Sequence, residues 1–134
     1  MSSTLVDTNV LLDVLTDDPV WFSWSERQLE LAAMQGAVQI NDVIYAELSV
    51  RYATVERLDA ALARAGVTLV ATPRAALFLA GKAFLRYRAA GGHKTGVLSD
   101  FFIGAHAAVA VTPLLTRDAR RYRTYFPTVE LVTP

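Results

Sequence analysis

The chain alternates between two hydrophobic periods from its first residues onward. Leu5 and Val6 begin a short apolar run of the kind that forms a strand buried on both faces, and Val10, Leu11, Val14 and Leu15 then recur at helical spacing. The exchange repeats along the sequence. After the turn signal DDP, residues 20–35 read as a helix ended by Gly36, and residues 37–40, AVQI, as a second strand. Asn41 is placed to cap a helix over residues 42–53, and Thr54 to cap another that runs through Ala65 and closes at Gly66. VTLV predicts a third strand. Thr72 followed by Pro73, a cap and then a first-turn proline, predicts a helix to about Ala90. GGHKTG reads as a loop, Ser99 and Asp100 open a helix through about Val111, and Pro113 breaks the chain. LLT and VEL then give a fourth and a fifth strand on either side of a short helix, DARRYRTYF. Strands that alternate with helices throughout predict an α/β fold with a parallel or mostly parallel sheet of about five strands, covered by helices on both faces.

Composition narrows the class. A chain of 134 residues, 53% hydrophobic and 19% charged, fits a single domain over residues 1–134 with a packed core. No repeat or low-complexity segment interrupts it. Cysteine is absent, which removes disulfides and thiolate zinc sites and makes the cytoplasm the expected compartment. No basic segment precedes the first apolar run, and Asp7 and Asp13 interrupt that run, so no signal peptide is read. The longest apolar stretch, IGAHAAVAVTPLL, contains His106 and Pro113 and falls short of the roughly 20 residues of a membrane span, so no membrane partner is expected. The net charge of zero conceals an asymmetry: residues 1–73 hold ten acids and four bases, residues 74–134 nine bases and three acids. An acidic pocket beside a basic surface suits a metal together with a nucleic-acid backbone.

Four acids carry the candidate chemistry. Asp7 stands where the strand period gives way to the helical one, at a strand's carboxyl end, which is where open α/β sheets bind ligands. A plain helix cap, worth about 1 kcal/mol, is the structural alternative. Glu47 shares a helix face with Ile40, Val43, Ile44 and Leu48, and a charge turned toward a core needs a partner such as Arg51, one turn on, or a metal. Asp100 opens the all-round apolar helix SDFFIGAHAAVAV, and Asp118 follows PLLTR at a strand tip as Asp7 does; both also suit helix N-termini. Were the four to converge, each close pair would repel by roughly 4 kcal/mol at an effective dielectric of 20. A hard divalent cation would relieve that repulsion, and Mg²⁺, with its preference for oxygen ligands, fits best. Calcium-loop and paired-histidine spacings are absent; His93 is expected in a loop and His106 in the interior.

The segments LVDTNVLLDVL, NDVIYAELS, GVLSDFFIGAHA and LLTRDARRYRTYFPTVELV, in that order and at domain-filling spacing, resemble PIN-domain proteins, and among them the VapC toxins of bacterial toxin–antitoxin pairs. The resemblance implies a PIN-like α/β sandwich with a central parallel sheet and a magnesium-dependent ribonuclease site, Mn²⁺ being an alternative ion. It carries the family's acidic quartet, catalytic and metal-binding, onto Asp7, Glu47, Asp100 and Asp118, and its carboxylate-orienting polar positions onto Thr8, Asn9 and Thr116. Asp7 and Asp100 would be the principal ligands. The implied reaction is hydrolysis of RNA phosphodiester bonds, and the implied partners are a VapB-type antitoxin and a second copy of the chain, in a homodimer and a toxin–antitoxin hetero-oligomer.

Arg86, Arg88 and Lys94 ahead of Asp100, with Arg117 beside Asp118, are the bases placed to hold an RNA backbone, and Tyr87 is a candidate for stacking on a base. A solvated basic helix face is the structural alternative. Trp21, Phe22 and Trp24 are more aromatic surface than one helix face buries, which points to a groove for an antitoxin peptide. Other α/β classes fit less well. A phosphatase of this pattern would carry an acid where Asn9 stands, a receiver domain needs paired acids before its acceptor, and AGGHKTG follows a helix rather than a strand, unlike a phosphate-binding loop. A non-catalytic RNA- or protein-binding module on the same fold is the competing reading.

Overall fold

The computed structural model describes residues 2–94 and 96–134; Met1 and Thr95, the latter in the GGHKTG loop, lie outside the described residues. Its sheet is built from short strands, β1 (Thr4–Val6), β2 (Val38–Ile40), β3 (Val67–Leu69), β4 (Leu114–Leu115) and β5 (Leu131–Val132). All pair in parallel, in the order β3-β2-β1-β4-β5. Around them lie α1 (Thr8–Leu15), α2 (Phe22–Gln35), α3 (Asp42–Ser49), α4 (Val55–Arg64), α5 (Arg74–Ala89), α6 (Leu98–Ala110) and α7 (Arg120–Tyr125). This is the expected α/β sandwich. Among the described residues, no helix is long and apolar enough to cross a membrane.

The order of the strands matters more than their length. The chain steps outward from β1 to β2 and β3, then crosses back to place β4 and β5 on the other side of β1. Strand order therefore reverses between β1 and β4, and the connections leaving those two strands diverge, opening a crevice above their carboxyl ends. β1 and β4 are buried throughout, whereas the edge strands β3 and β5 are partly exposed, as expected for a sheet centred on β1.

Local chemistry explains most element boundaries. Asn41 caps α3 by accepting at Oδ1 from the backbone N–H of Val43 and Ile44, and Thr54 caps α4 by accepting from Arg57. Of the boundaries that differ from the sequence expectation, three show their cause locally. The helix after Asn41 ends at Ser49, because Arg51 and Tyr52 turn back onto the carbonyls of Leu48 and Ser49 in tighter three-residue turns. Pro73 takes the N-cap position of α5, while Thr72 turns its hydroxyl into the protein without a partner and donates its N–H to Asp42. The last strand forms at Leu131 and Val132, where the backbone meets β4.

Two features tie the helices together at the sheet's carboxyl edge. Gly104, on α6, lies so close to α7 that a Cβ there would collide with the Phe126 ring and press on Tyr122, so glycine is what lets α7 dock. Asn41 also bridges α3 to α6: its Nδ2 lies 3.1 Å from His106 Nδ1. Because Asn41 Oδ1 is already an acceptor, Nδ2 must donate, which leaves His106 Nδ1 bare and its proton on Nε2. Burial holds the His106 pKa below its ordinary 6.5, so the folded ring is neutral.

A histidine whose folded pKa is depressed gives stability that is complete above the unfolded value and declines as pH falls through it, because only the unfolded state takes the proton. The His106 contribution is therefore expected to appear as a difference: lowering the pH through about 6.5 costs wild type more stability than His106→Gln, read from the gap between their urea midpoints, because the buried carboxyls of the chain respond to pH with the opposite sign in both proteins. Val111, the C-cap of α6, is a β-branched residue held at φ 51° and ψ 51° with 89% of its surface exposed. Val111→Gly is expected to raise stability by about 1 kcal/mol in the same assay, since glycine adopts that left-handed conformation without strain.

Candidate active site

The register of β1 and β4 assembles the centre of the site. Leu5 lies opposite Leu114 and Val6 opposite Leu115, so the next residues, Asp7 and Thr116, emerge side by side at the crevice floor. Thr116 Oγ1 donates to Asp7 Oδ2 at 2.8 Å, and Tyr122, buried on α7, donates to the same oxygen at 2.9 Å. Asn9 Nδ2 stands 3.4 Å from both Asp7 Oδ2 and Thr116 Oγ1. The other oxygen of Asp7 accepts from the Thr8 N–H at 2.8 Å. Asp7 thus does both jobs considered from sequence: it is the N-cap of α1 and a floor residue of the crevice.

The remaining acids arrive from three directions. α3 begins directly after β2 at the same sheet edge, and Glu47 reaches back to accept from Thr8 Oγ1 at 2.5 Å, rather than pairing with Arg51. α6 leads into β4 and so runs against the strands, which brings Asp100 in its first turn to this edge. Asp118 follows β4, is exposed, and is anchored by its backbone N–H, which donates to Thr116 Oγ1 at 3.1 Å. Asp7, Glu47, Asp100 and Asp118, with Thr8, Asn9, Leu12 and Tyr122, line one open cleft of about 230 Å³.

The electrostatics of the cleft are unfavourable to its own acids. Burial pushes Asp7, only 5% exposed, from 3.8 up to about 6; the hydrogen bonds from Thr116, Tyr122 and Thr8 oppose the rise, and Asp100 adds to it. Asp100 is also raised, first by burial and then by Glu47 and Asp118, against the pull of Arg121. The Tyr122 hydroxyl is pushed well above its ordinary value by burial and by Asp7, so it remains a hydrogen-bond donor. Buried carboxylates that raise one another's pKa are what a cation would relieve, and the donors are all oxygen, which suits a hard divalent ion. Among the described residues no three acidic or histidine side chains are already closed into a metal cage, so binding would require these side chains to draw inward.

Beside the cleft runs a buried brace that sequence reasoning missed. Asp13, 3% exposed, accepts from Ser25 Oγ at 2.6 Å and takes both Nε and Nη2 of Arg117, at 2.6 and 2.9 Å. The Arg117 guanidinium also lies 4.9 Å from the Trp21 ring, and its backbone N–H donates to Asn9 Oδ1 at 3.1 Å. Arg117, expected to face the RNA backbone, pairs its charge with Asp13 in the structure, and the residue ties the loop after β4 to α1 and α2. Asp13 had a sequence signal, an acid within the apolar run of α1, of the same kind that singled out Glu47. Tyr122 and Arg121 had none, because nothing in DARRYRTYF says which side chains face back to β1.

The other candidates lie apart from the acids. Arg86, Arg88 and Lys94 are exposed on α5 and the loop after it; Arg86 reaches the Tyr125 carbonyl at 3.5 Å, and Arg88 lies 5.8 Å from the Phe84 ring. Tyr87 is packed among Phe84, Phe101 and Tyr125, with Gly92 against its ring, and so serves the core instead of offering a free stacking face. Trp21, Phe22 and Trp24 are half-buried at the start of α2, the two indoles edge to face at 6.0 Å.

An oxygen-lined acidic cleft at the switch point of a parallel sheet marks an α/β protein whose candidate ligand site lies above the carboxyl ends of its central strands. The PIN domain family model matches residues 4–127, and the chain belongs to that family, whose members are generally nucleases. Comparison with curated proteins found no match. Solved structures with the same fold include a chain of VapBC2 from Rickettsia felis bound to a promoter DNA fragment, with TM-score 0.74, 18% identity and 98% of both chains covered. A chain of DNA-bound VapBC from Salmonella typhimurium matches with TM-score 0.72 and 16% identity, over 99% of this chain and 98% of that one. A chain of VapBC-5 from Mycobacterium tuberculosis matches with TM-score 0.61 and 19% identity over the whole of both chains.

Removing Asp13 would leave Arg117 without its partner and Ser25 without its acceptor. Asp13→Ala is expected to lower stability by about 3 kcal/mol, read from the shift of the urea transition.

Proposed function

We propose that this chain is a Mg²⁺-dependent endoribonuclease, the toxin of a VapBC-type pair, acting in the cytoplasm as a single PIN domain over residues 1–134. The observation that carries the reading is the meeting of Asp7, Glu47, Asp100 and Asp118 around one cleft at the sheet's switch point. Family membership and the fold shared with chains of VapBC structures support it.

In this reading Asp7 and Asp100 hold the ion, with Glu47 and Asp118 completing its surroundings directly or through water; Mn²⁺ can replace Mg²⁺. The ion supplies Lewis acidity toward a phosphoryl oxygen and the countercharge that lets the acids stay ionised together. The protein supplies orientation. Thr116, Tyr122 and Asn9 fix Asp7, whose carboxylate has no freedom left except toward the cleft, and Thr8 fixes Glu47. Asp118, exposed and held only through its backbone, is the acid free to orient an attacking water and accept its proton. The half-buried aromatics Trp21, Phe22 and Trp24 receive a VapB-type antitoxin, and the chain forms a homodimer within the toxin–antitoxin hetero-oligomer. Arg86, Arg88 and Lys94 hold the RNA backbone on its way to the cleft.

The test is incubation of the antitoxin-free protein with total cellular RNA, with and without Mg²⁺, and sequencing of the cleavage ends. Discrete cuts that need Mg²⁺ and vanish in Asp7→Asn are expected, with at least a hundredfold loss of rate and an unchanged circular dichroism spectrum. A folded protein that cuts nothing would leave the binding-module reading in place.

A further inference from the structure

Two arginine–aspartate pairs flank the cleft, and they are built differently. Arg117, itself 26% exposed, grips both oxygens of the 3% exposed Asp13 through two nitrogens, and Asp13 also accepts from Ser25. Arg121 touches Asp100 through one nitrogen and one oxygen, Nη1 to Oδ2 at 2.7 Å, and both side chains remain about a quarter to a third exposed, at 25% and 30%. A two-point fork onto a buried carboxylate is a structural fixture, whereas a single contact to a carboxylate that solvent reaches contributes little and exchanges readily. While paired with Asp100, the Arg121 guanidinium also lies 5.9 Å from the Tyr87 ring of α5.

Among the described residues Arg121 makes the one ion pair with the four acids of the cleft. We propose that Arg121 is an exchangeable countercharge: it occupies Asp100 in the metal-free protein, is displaced when a divalent cation takes that carboxylate, and then holds a phosphate of the RNA. The same side chain thereby keeps the acids tolerable before the cation binds and supplies a phosphate contact afterwards. The inference rests on the nuclease reading above and names a residue that neither the acidic quartet nor the basic track of α5 includes.

Calorimetric titration of the RNA-free protein with Mn²⁺ separates the two. Wild type is expected to bind the ion, and Arg121→Gln, which keeps the side chain's length and polarity but not its charge, to bind it roughly fivefold more tightly because the competitor is gone. Arg121→Lys, still charged, is expected to stay within about twofold of wild type. At saturating Mn²⁺, Arg121→Gln should raise KM for RNA severalfold with kcat little changed, and should lessen the salt dependence of kcat/KM by roughly the 0.7 in log–log slope that one phosphate contact to a single strand provides. Wild-type protein that binds Mn²⁺ and cleaves RNA, beside an Arg121→Gln variant that binds the ion no more tightly, would overturn the countercharge role alone. Tighter ion binding with an unchanged KM and salt slope would overturn the phosphate contact. Wild-type protein that binds no ion and cleaves nothing would overturn the nuclease reading and this inference together.

Discussion

The pairing of β1 with β4 is the constraint on which the rest of the site depends. With Val6 opposite Leu115, Asp7 and Thr116 leave the sheet as neighbours, and Asn9, Tyr122 and the backbones of Thr8 and Asp118 each hydrogen-bond to one of them. The pairing is held by burial: Leu5, Val6, Leu114 and Leu115 are all essentially inaccessible, so a shift of one residue would turn half of them to the opposite face and separate the threonine from the aspartate. The register that buries the central strands is the same register that builds the crevice floor.

The cleft is assembled against its own electrostatics. A carboxylate at the position of Asp7 is disfavoured by its burial and by Asp100, and three donors from three parts of the chain only partly compensate. A carboxylate raised as far as Asp7, with a second raised beside it at Asp100, marks a functional site more often than a structural one, since stability alone would place neutral side chains there. The contrast between the two arginine pairs carries the same message. The two arginines are similarly exposed, at 26% and 25%, but between the β4 loop and the first two helices the aspartate is buried, whereas beside the acids it is open to water.

α7 completes the arrangement from a distance in sequence. It is only six residues long, and its place depends on the absence of a side chain at Gly104, which allows Phe126 and Tyr122 to lie directly against α6. Through that contact a surface helix supplies a buried hydroxyl to Asp7 and a guanidinium to Asp100. The helix–helix contact is therefore part of the site, although no residue of it reads as catalytic.

The sequence by itself determined the alternation of strands and helices, the parallel α/β class, and the four acids, because period, caps and the cost of placing a charge on an apolar face act locally. Asn41 and Thr54 cap the helices expected of them, and Glu47 stands out on α3 for a reason visible in eight residues of sequence. The tertiary structure alone decided which side chains those acids meet. Glu47 found Thr8, thirty-nine residues away, instead of Arg51; Arg117 was drawn to Asp13 rather than left for nucleic acid; Tyr122 and Arg121 turned inward. Each of these contacts spans two or more elements and is set by strand order, register and the docking of α7 on Gly104. Pattern along a chain specifies the face a residue occupies, whereas its partner depends on which other face the fold brings against it.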